Sequence, residues 1–278
     1  MAESPDYEPT GASVRRRMAE EIIEILRREI LTGKVAGGSR LPSEREIAVR
    51  FGVSQPTVRE ALRALDSMGL IEVRHGSGTF VRSDAEYSTA VALQNLLQLR
   101  DIGILDVLDV RQVLGLESAR RAAMHADEAD IETLRDRLAA FLERRDTADL
   151  TRVLRLISEF QEALSRAAKN PLLFAIESFL IKLVLQLQIS PVGSRGAANW
   201  QRRSMAFQED REAIVKAVAD HDPRAAEYAM ANYLAHQRKV FLQDPELGLM
   251  RMNDPKALSS VAEVVDGFRG RRGTRQTA

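Results

Sequence analysis

The chain contains no cysteine among its 278 residues and only four histidines. It can therefore form neither a disulfide nor a thiolate metal site, and it has no thiol nucleophile. It also lacks any run of 18 apolar residues. The longest apolar-rich stretch, residues 172–187, is interrupted by Glu177 and Lys182, which favours a buried helix over a membrane span. The first thirteen residues show no secretion signal, so we expect a cytoplasmic protein.

Charge is balanced over the whole chain but is unevenly placed along it. The formal net charge is zero, yet residues 12–82 hold 13 Lys and Arg against 9 Asp and Glu. The last ten residues add four arginines and no acid. A locally basic segment is typical of a surface that binds phosphates. The basic tail could add such contacts, or it could be disordered and take no part.

Composition and hydrophobic periodicity divide the chain into four parts. Residues 1–13 are rich in Pro, Gly, Ser and acid and are predicted to be disordered. Residues 14–83 show three short helices and a β-hairpin, and residues 86–243 show helical periodicity only. Residues 244–278 form an extension with a possible helix at 256–267 and the basic tail. The expected fold is mainly α: a winged helix-turn-helix followed by an all-α bundle of seven helices. These seven are predicted at 86–100, 104–125, 127–145, 149–169, 171–189, 199–220 and 222–243.

The segment from Arg40 to Val81 carries the most information. Ser43, with Glu46 three residues later, predicts a capping box that starts a helix, and Gly52 is placed to end it. A second helix follows across a tight turn, capped by Ser54. Two short strands then surround a glycine-rich tip. This arrangement offers DNA a helix for the major groove and a hairpin for the backbone beside it. The apolar stripe of the second helix is Val58, Ala61, Leu62, Leu65 and Met68.

The second helix is the candidate recognition helix. Arginine and glutamine are the side chains that pair bidentately with guanine and adenine edges. Arg45 can reach phosphate or base from the preceding helix, and His75 and Gly76 lie at the wing tip, where glycine allows close backbone approach. A winged helix used for protein contacts, with its arginines merely solvated, is the alternative. The face opposite the apolar stripe carries Gln55, Thr57, Arg59 and Arg63.

The motif LPSEREIAVRFGVSQPTVREALRALDSMGLIEVRHGSGTFV resembles the winged helix-turn-helix of the GntR superfamily of bacterial transcription regulators. In that superfamily an arginine often stands where this chain has Gln55, so one guanine contact is altered. The resemblance implies a homodimer that presents two winged helices to a palindromic operator, most often as a repressor. It also implies DNA contacts from Arg45, Ser54, Gln55, Thr57, Arg59, His75 and Gly76.

The helical region resembles the FCD ligand-binding domain of the FadR-like subfamily, through residues 105–123, 160–173 and 210–234. Most FCD domains carry a metal site formed by one aspartate and three histidines. The resemblance implies that these four ligands fall on side chains that are not usual ligands for such metals. We therefore predict neither a metal nor another cofactor. The four matching positions are Ile157, Gln161, Arg211 and Tyr233.

Helical periodicity places Arg111, Gln161 and Arg211 on faces that point into the bundle. A buried cation needs an anion, and two sources stay open. One is an internal salt bridge, with the arginines reaching outward. The other is an effector: a small organic anion anchored by both arginines and hydrogen-bonded by Gln161 and Tyr233. Ile157 makes such a pocket more apolar, which favours a fatty acid or acyl-CoA type of ligand. The carboxylates available for an internal bridge are Glu117, Glu159 and Asp210.

The sequence thus predicts a ligand-responsive transcription regulator and no enzyme. An aminotransferase domain, which one GntR branch carries behind its winged helix, would need a much longer chain with α/β patterns. A constitutive architectural DNA-binding protein with a vestigial pocket is the remaining alternative.

Overall fold

A computed structural model describes residues 11–74, 76–83, 86–143, 150–189 and 205–269. Its contacts divide the described chain into two compact units that meet in sequence between Val91 and Ala92. The first elements are α1 (Gly11–Leu31), α2 (Glu44–Phe51), α3 (Gln55–Ser67), β1 (Ile71–Arg74) and β2 (Gly78–Val81). Five helices follow: α4 (Glu86–Leu99), α5 (Ile104–His125), α6 (Glu128–Glu143), α7 (Leu150–Ala167) and α8 (Pro171–Gln186). The last described helices are α9 (Gln208–Ala219), α10 (Pro223–Leu242), the single turn α11 (Pro245–Gly248) and α12 (Pro255–Arg269).

The capping box predicted for α2 is confirmed. The Ser43 hydroxyl accepts from the Glu46 amide at 3.3 Å, and the Glu46 carboxylate accepts from the Ser43 amide at 2.7 Å. Gly52 ends the helix at a φ of +65°, a left-handed conformation that suits glycine. Local chemistry therefore determines both ends of the first helix of the helix-turn-helix.

Three details of α3 differ from the prediction. Ser54 stands at the N-cap position, but its hydroxyl lies 2.9 Å from the Thr57 hydroxyl and makes no capping bond to the backbone. Thr57 is buried and not exposed, because it lies one helical turn before the buried Ala61. Met68, expected in the apolar stripe, is 45% exposed because α3 ends at Ser67.

The hairpin completes the N-terminal unit. β1 and β2 pair antiparallel, with Ile71 opposite Val81. Gly78 has a φ of +107°, and a side chain there would meet Arg40, since a Cβ would lie 2.7 Å from its Nε. The positive φ therefore favours glycine at this position, and Arg40 packs directly against it. Beneath it lies one apolar core, formed by Ile22, Leu26, Leu41, Ile47, Ala48, Val58, Ala61, Leu62, Leu65, Ile71 and Val81.

The second unit is an all-helical bundle, which confirms the predicted mainly α fold. α5 and α10 are the most extensively packed pair. Gly115 permits their close approach, because a Cβ at this position would lie only 3.0 Å from Leu234. The surrounding core joins faces of α5, α6, α7, α9 and α10, and includes Ala119, Leu134, Phe160, Leu164, Ile214, Val218, Met230 and Tyr233.

The C-terminal helix α12 is part of this bundle. The sequence predicts only a possible helix at 256–267, whereas α12 runs from Pro255 to Arg269 and packs on α8. Lys256 anchors its start by a 2.5 Å ion pair to Glu246. Its apolar face is fully covered. The covered side chains are Ala257, Val261, Val264, Val265 and Phe268.

Several predicted segments lie partly outside the described residues: 1–10 of the N-terminal segment, the first part of the helix at 199–220, and the basic tail after 269. None of the described helices combines the length and apolarity that crossing a membrane requires.

One ion-pair cluster ties α1 to α2. Glu29 has a side chain that is only 10% exposed, and it accepts from Lys34 at 2.7 Å and from both Nη atoms of Arg50 at 2.7 and 3.0 Å. Hydrogen bonds from Arg50 and then Lys34 lower the pKa of Glu29 from 4.5 to about 2.

We predict that this cluster makes the N-terminal unit sensitive to acid. Because the pKa is lowered in the folded state, the stabilisation is complete above pH 4.5 and is lost as the pH falls towards 2. Glu29→Gln should cost about 1–3 kcal/mol at pH 7, typical of hydrogen bonds to charged groups. Urea unfolding between pH 2 and 7 measures this. The difference between the variant and the wild type should shrink with acid, and a constant difference would contradict the assignment.

Candidate nucleic-acid interface and buried arginine cluster

The exposed face of α3 carries three of the predicted DNA-contacting side chains. Gln55, Arg59 and Arg63 are spaced four residues apart, so they lie on one face of the helix, and all three are exposed. Arg45 is exposed on α2. The opposite face of α3 is buried in the core of the unit, which fixes the orientation of the exposed face.

One contact on this face was not anticipated from the sequence. The Nε of Arg59 donates to the carboxylate of Glu44 at 2.7 Å, and the two side chains are 53% and 38% exposed. The partners are 15 residues apart and lie on different helices. No single-helix periodicity could have indicated this pair.

The wing tip is described on both sides of His75, which itself lies outside the described residues. Gly76 is exposed and has a φ of +73°. Two arginines missed by the sequence analysis flank the tip. The Arg74 guanidinium lies 4.4 Å from the centre of the Phe80 ring, and Arg40 lies against Gly78. Arg74 is also ion-paired with Glu72 at 3.0 Å, so the two arginines and this carboxylate together leave one net positive charge beside the tip.

The four predicted effector residues are all buried in the bundle, at 2–4% exposure. The guanidinium of Arg111 donates to the side-chain oxygens of Gln161 and Gln237. The amide nitrogen of Gln161 then donates to the Tyr233 hydroxyl at 3.0 Å. This chain of contacts connects α5, α7 and α10 in the bundle interior. The sequence missed Gln237, although it stands one turn after Tyr233 on the same face of α10.

Arg211 reaches the same cluster from α9. Its guanidinium carbon lies 5.8 Å from the ring centres of both Phe207 and Tyr233. Arg211 is the largest of the fully buried side chains. Both arginines are therefore inside the bundle, and the idea that they reach outward to solvent is wrong.

The three carboxylates considered for an internal salt bridge do not pair with Arg111. Glu117 pairs with Arg120 on the same helix at 2.8 Å, because the two residues are three apart. Glu159 pairs with Arg137 at 3.2 Å. Asp210, the third expected partner, lies 2.7 Å from His236. Arg111 instead has uncharged amide oxygens as its direct partners, and burial lowers the pKa of its guanidinium.

Glu177 is a buried carboxylate whose charge acts on Arg111. It lies 4% exposed on α8, accepts from the Ser118 hydroxyl, and has Ser165 beside it. Burial raises the pKa of Glu177, while the two hydroxyls and the charge of Arg111 act in the opposite direction. The sequence could have indicated Glu177 as a functional residue, because it is the one acidic side chain within the strongly apolar helix α8.

A divalent metal does not fit the positions that match the FCD metal ligands. Ile157 offers no donor atom, and Arg211 brings a positive charge that would repel the metal. The Gln161 oxygen already accepts from Arg111. What is left is the phenol of Tyr233, which cannot hold a metal alone.

A surface groove of about 320 Å³ lies elsewhere, between α7, α8 and α12. Leu154, Lys182 and Val264 are among its lining residues, and none of the cluster residues named above is. The groove and the buried arginine cluster are thus separate features, and the anion hypothesis depends on the cluster.

Comparison with known proteins supports both units. Residues 18–81 match the bacterial regulatory proteins of the gntR family, and residues 106–236 match the FCD domain. An uncharacterised HTH-type transcriptional regulator of Mycobacterium tuberculosis is 39% identical over 137 residues, which are 48% of this chain and 54% of that protein. The chain thus matches about half the length of that relative.

Two further comparisons cover more of the chain. The HTH-type transcriptional repressor NanR of Edwardsiella tarda is 28% identical over 80% of this chain and 84% of its own length. The solved structure of Streptococcus agalactiae GntR superposes with a TM-score of 0.58 and 23% identity, over 80% of this chain and 99% of that one. At this identity the structure supports the fold alone.

These matches assign an N-terminal helix-turn-helix domain and a helical C-terminal domain; the matched families and relatives are regulators, not enzymes. The chain carries a helix-turn-helix domain of the gntR type at residues 18–81 and an FCD domain at residues 106–236.

We predict that Glu177 lowers the stability of the bundle at neutral pH. Its pKa is raised in the folded state, so the folded protein favours the neutral carboxyl and loses stability as the pH rises above the usual value of 4.5. Glu177→Gln should therefore be more stable than the wild type at pH 7 and equally stable near pH 4. Thermal unfolding at both pH values tests this. A variant that is less stable at pH 7 would show that the ionised carboxylate stabilises Arg111.

Proposed function

We propose that this chain is a transcription regulator that binds operator DNA through its winged helix-turn-helix and releases it when a small organic anion enters the helical domain. Two copies would bind a palindromic operator as a homodimer. Repression is the proposed outcome, as in the name of the relative NanR.

The observation that carries the DNA-binding part is the exposed triad Gln55, Arg59 and Arg63 on one face of α3. Its opposite face is buried, so the helix can enter a groove without exposing apolar surface. Arg45 and the wing arginines add charges that can reach the neighbouring phosphates.

The observation that supports an anionic effector is the buried guanidinium of Arg111. Within the described residues no carboxylate lies at ion-pair distance from it, and its hydrogen-bond partners are two amide oxygens. A buried cation without a direct counterion costs several kcal/mol. An effector carboxylate or phosphate would provide that counterion with bidentate geometry, and Arg211 adds a second buried positive charge nearby.

Effector entry would disturb the contacts that join three helices. An anion that takes the place of Gln161 and Gln237 on Arg111 would free both amides, and with them the link to Tyr233. A ligand shifts a conformational equilibrium only through such differential contacts. We propose that this rearrangement changes the affinity for DNA, with a coupling of about 1–3 kcal/mol that is typical of allosteric proteins.

We predict that Arg63→Ala weakens operator binding. Losing one base contact should raise the Kd by roughly tenfold to a hundredfold, about 1–3 kcal/mol. The duplex for this measurement is obtained by selecting a randomised library on the immobilised wild-type protein, and fluorescence anisotropy at fixed salt gives the Kd.

The matched control is Arg135→Ala, which removes an exposed arginine of α6 in the helical unit. It should leave the Kd unchanged. Equal losses in both variants would indicate a general charge effect, and no enriched duplex would count against the proposed function as a whole.

We predict that Arg111→Met abolishes the response to the anion but not the fold. Replacing a buried charge with an apolar side chain of similar size is often neutral or stabilising, by about 1–4 kcal/mol. Lactate, octanoate and octanoyl-CoA serve as probes in thermal-shift measurements, followed by release of the selected duplex. An anion that raises the Tm of the wild type should leave that of the variant unchanged.

Arg120→Met is the control, because Arg120 lies on the same helix but is paired with Glu117 at the surface. Its response should equal that of the wild type. A shift that persists in Arg111→Met would exclude the anchor role. If no metabolite alters DNA binding by the wild type, the alternative of a constitutive architectural protein would be favoured.

A further inference from the structure

The ion pair between Glu44 and Arg59 places a carboxylate on the face proposed to meet DNA. The Nε of Arg59 donates to Oε2 of Glu44 at 2.7 Å. Within the described part of the chain, the two Nη nitrogens of Arg59 make no hydrogen bond. A negative charge at this place weakens attraction to phosphates, so its presence on a DNA-binding face needs a reason.

The fold does not require Glu44 for capping. Ser43 and Glu46 close the capping box, and Glu46 alone supplies the carboxylate for it. Glu44 is the first residue of α2, where the helix dipole favours a negative charge. Its carboxylate is therefore not needed for the cap and is available to a side chain of the neighbouring helix.

We infer that Glu44 is a positioning residue that sets the base preference of Arg59, an inference that rests on the proposed DNA-binding function. An arginine without a fixed partner can turn to a phosphate, which carries no sequence information. A carboxylate on Nε fixes the guanidinium plane and repels phosphate. It leaves Nη1 and Nη2 as the two-donor edge that matches O6 and N7 of guanine.

This arrangement reduces affinity for DNA in general and increases discrimination between sequences. It also compensates for Gln55, which replaces the arginine expected at one guanine contact. With that arginine absent, Arg59 is the guanidinium of α3 whose orientation the described structure fixes by an ion pair. We therefore expect a guanine in the selected operator at the position facing Arg59.

The test compares Glu44→Gln with Glu60→Gln. Glu60 is exposed on α3 and forms no ion pair within the described residues, so its change removes the same charge without touching Arg59. Binding is measured to the duplex selected by the wild type and to a scrambled duplex. In Glu44→Gln the ratio of the two affinities should fall about tenfold, within the range for one bidentate base contact. Tighter binding to the scrambled duplex should account for part of this fall. Glu60→Gln should keep the wild-type ratio.

A second pair of variants shows whether Glu44 acts through Arg59. Arg59→Lys keeps the charge but lacks the planar two-donor fork that a carboxylate on Nε would orient. Glu44→Gln should therefore lower the affinity ratio in the wild-type background and leave it unchanged in the Arg59→Lys background.

The inference is overturned if Glu44→Gln matches Glu60→Gln, or if it lowers the ratio equally in both backgrounds. A wild-type protein that selects no sequence at all would instead overturn the proposed function. Glu44→Gln should melt within a few degrees of the wild type, because the capping box is intact and only one partly exposed charge at the helix start is lost.

Discussion

The helical unit depends on how a guanidinium is accommodated away from water. Arg111 is 3% exposed, and two glutamine oxygens from α7 and α10 accept its hydrogen bonds in the interior. Each amide must turn its oxygen towards the cation, so the nitrogen of Gln161 points the other way and meets Tyr233. One buried charge thereby fixes the orientation of side chains on three helices. Gly115 allows α10 to lie close enough to α5 for this to happen.

The arginines of the two units lie in opposite environments, exposed to solvent in one and buried in the other. On α3 the guanidinium groups remain in water, where charge costs little and a neighbouring carboxylate orients but does not neutralise. In the bundle the same group is desolvated, and its energy depends on every nearby dipole. A charge placed beside a desolvated group acts on it strongly, whereas charges at the surface are screened by salt.

Much of this arrangement could be predicted from the sequence, since it depends on local periodicity. The spacing of apolar residues places Arg111 and Arg211 inside, and the Ser43–Glu46 signature determines the start of α2. The partners could not be predicted in the same way. Gln237 is 126 residues from Arg111 in sequence, and a single chain contains many glutamines that could serve. The Glu44–Arg59 pair depends on the angle between two helices. The burial of Thr57 depends on its position one helical turn before Ala61.

The C-terminal helix determines where the packed helical unit ends. The FCD match ends at residue 236, yet α12 lies beyond it and covers α8 with Val261, Val264 and Phe268. A fragment cut at the family boundary would leave a strip of α8 bare, and exposed apolar strips of this kind promote aggregation. The segment that the FCD model matches is thus shorter than the packed helical unit, which includes α12. Fragments and fusions made for crystallisation or for sensors should keep the chain through Arg269.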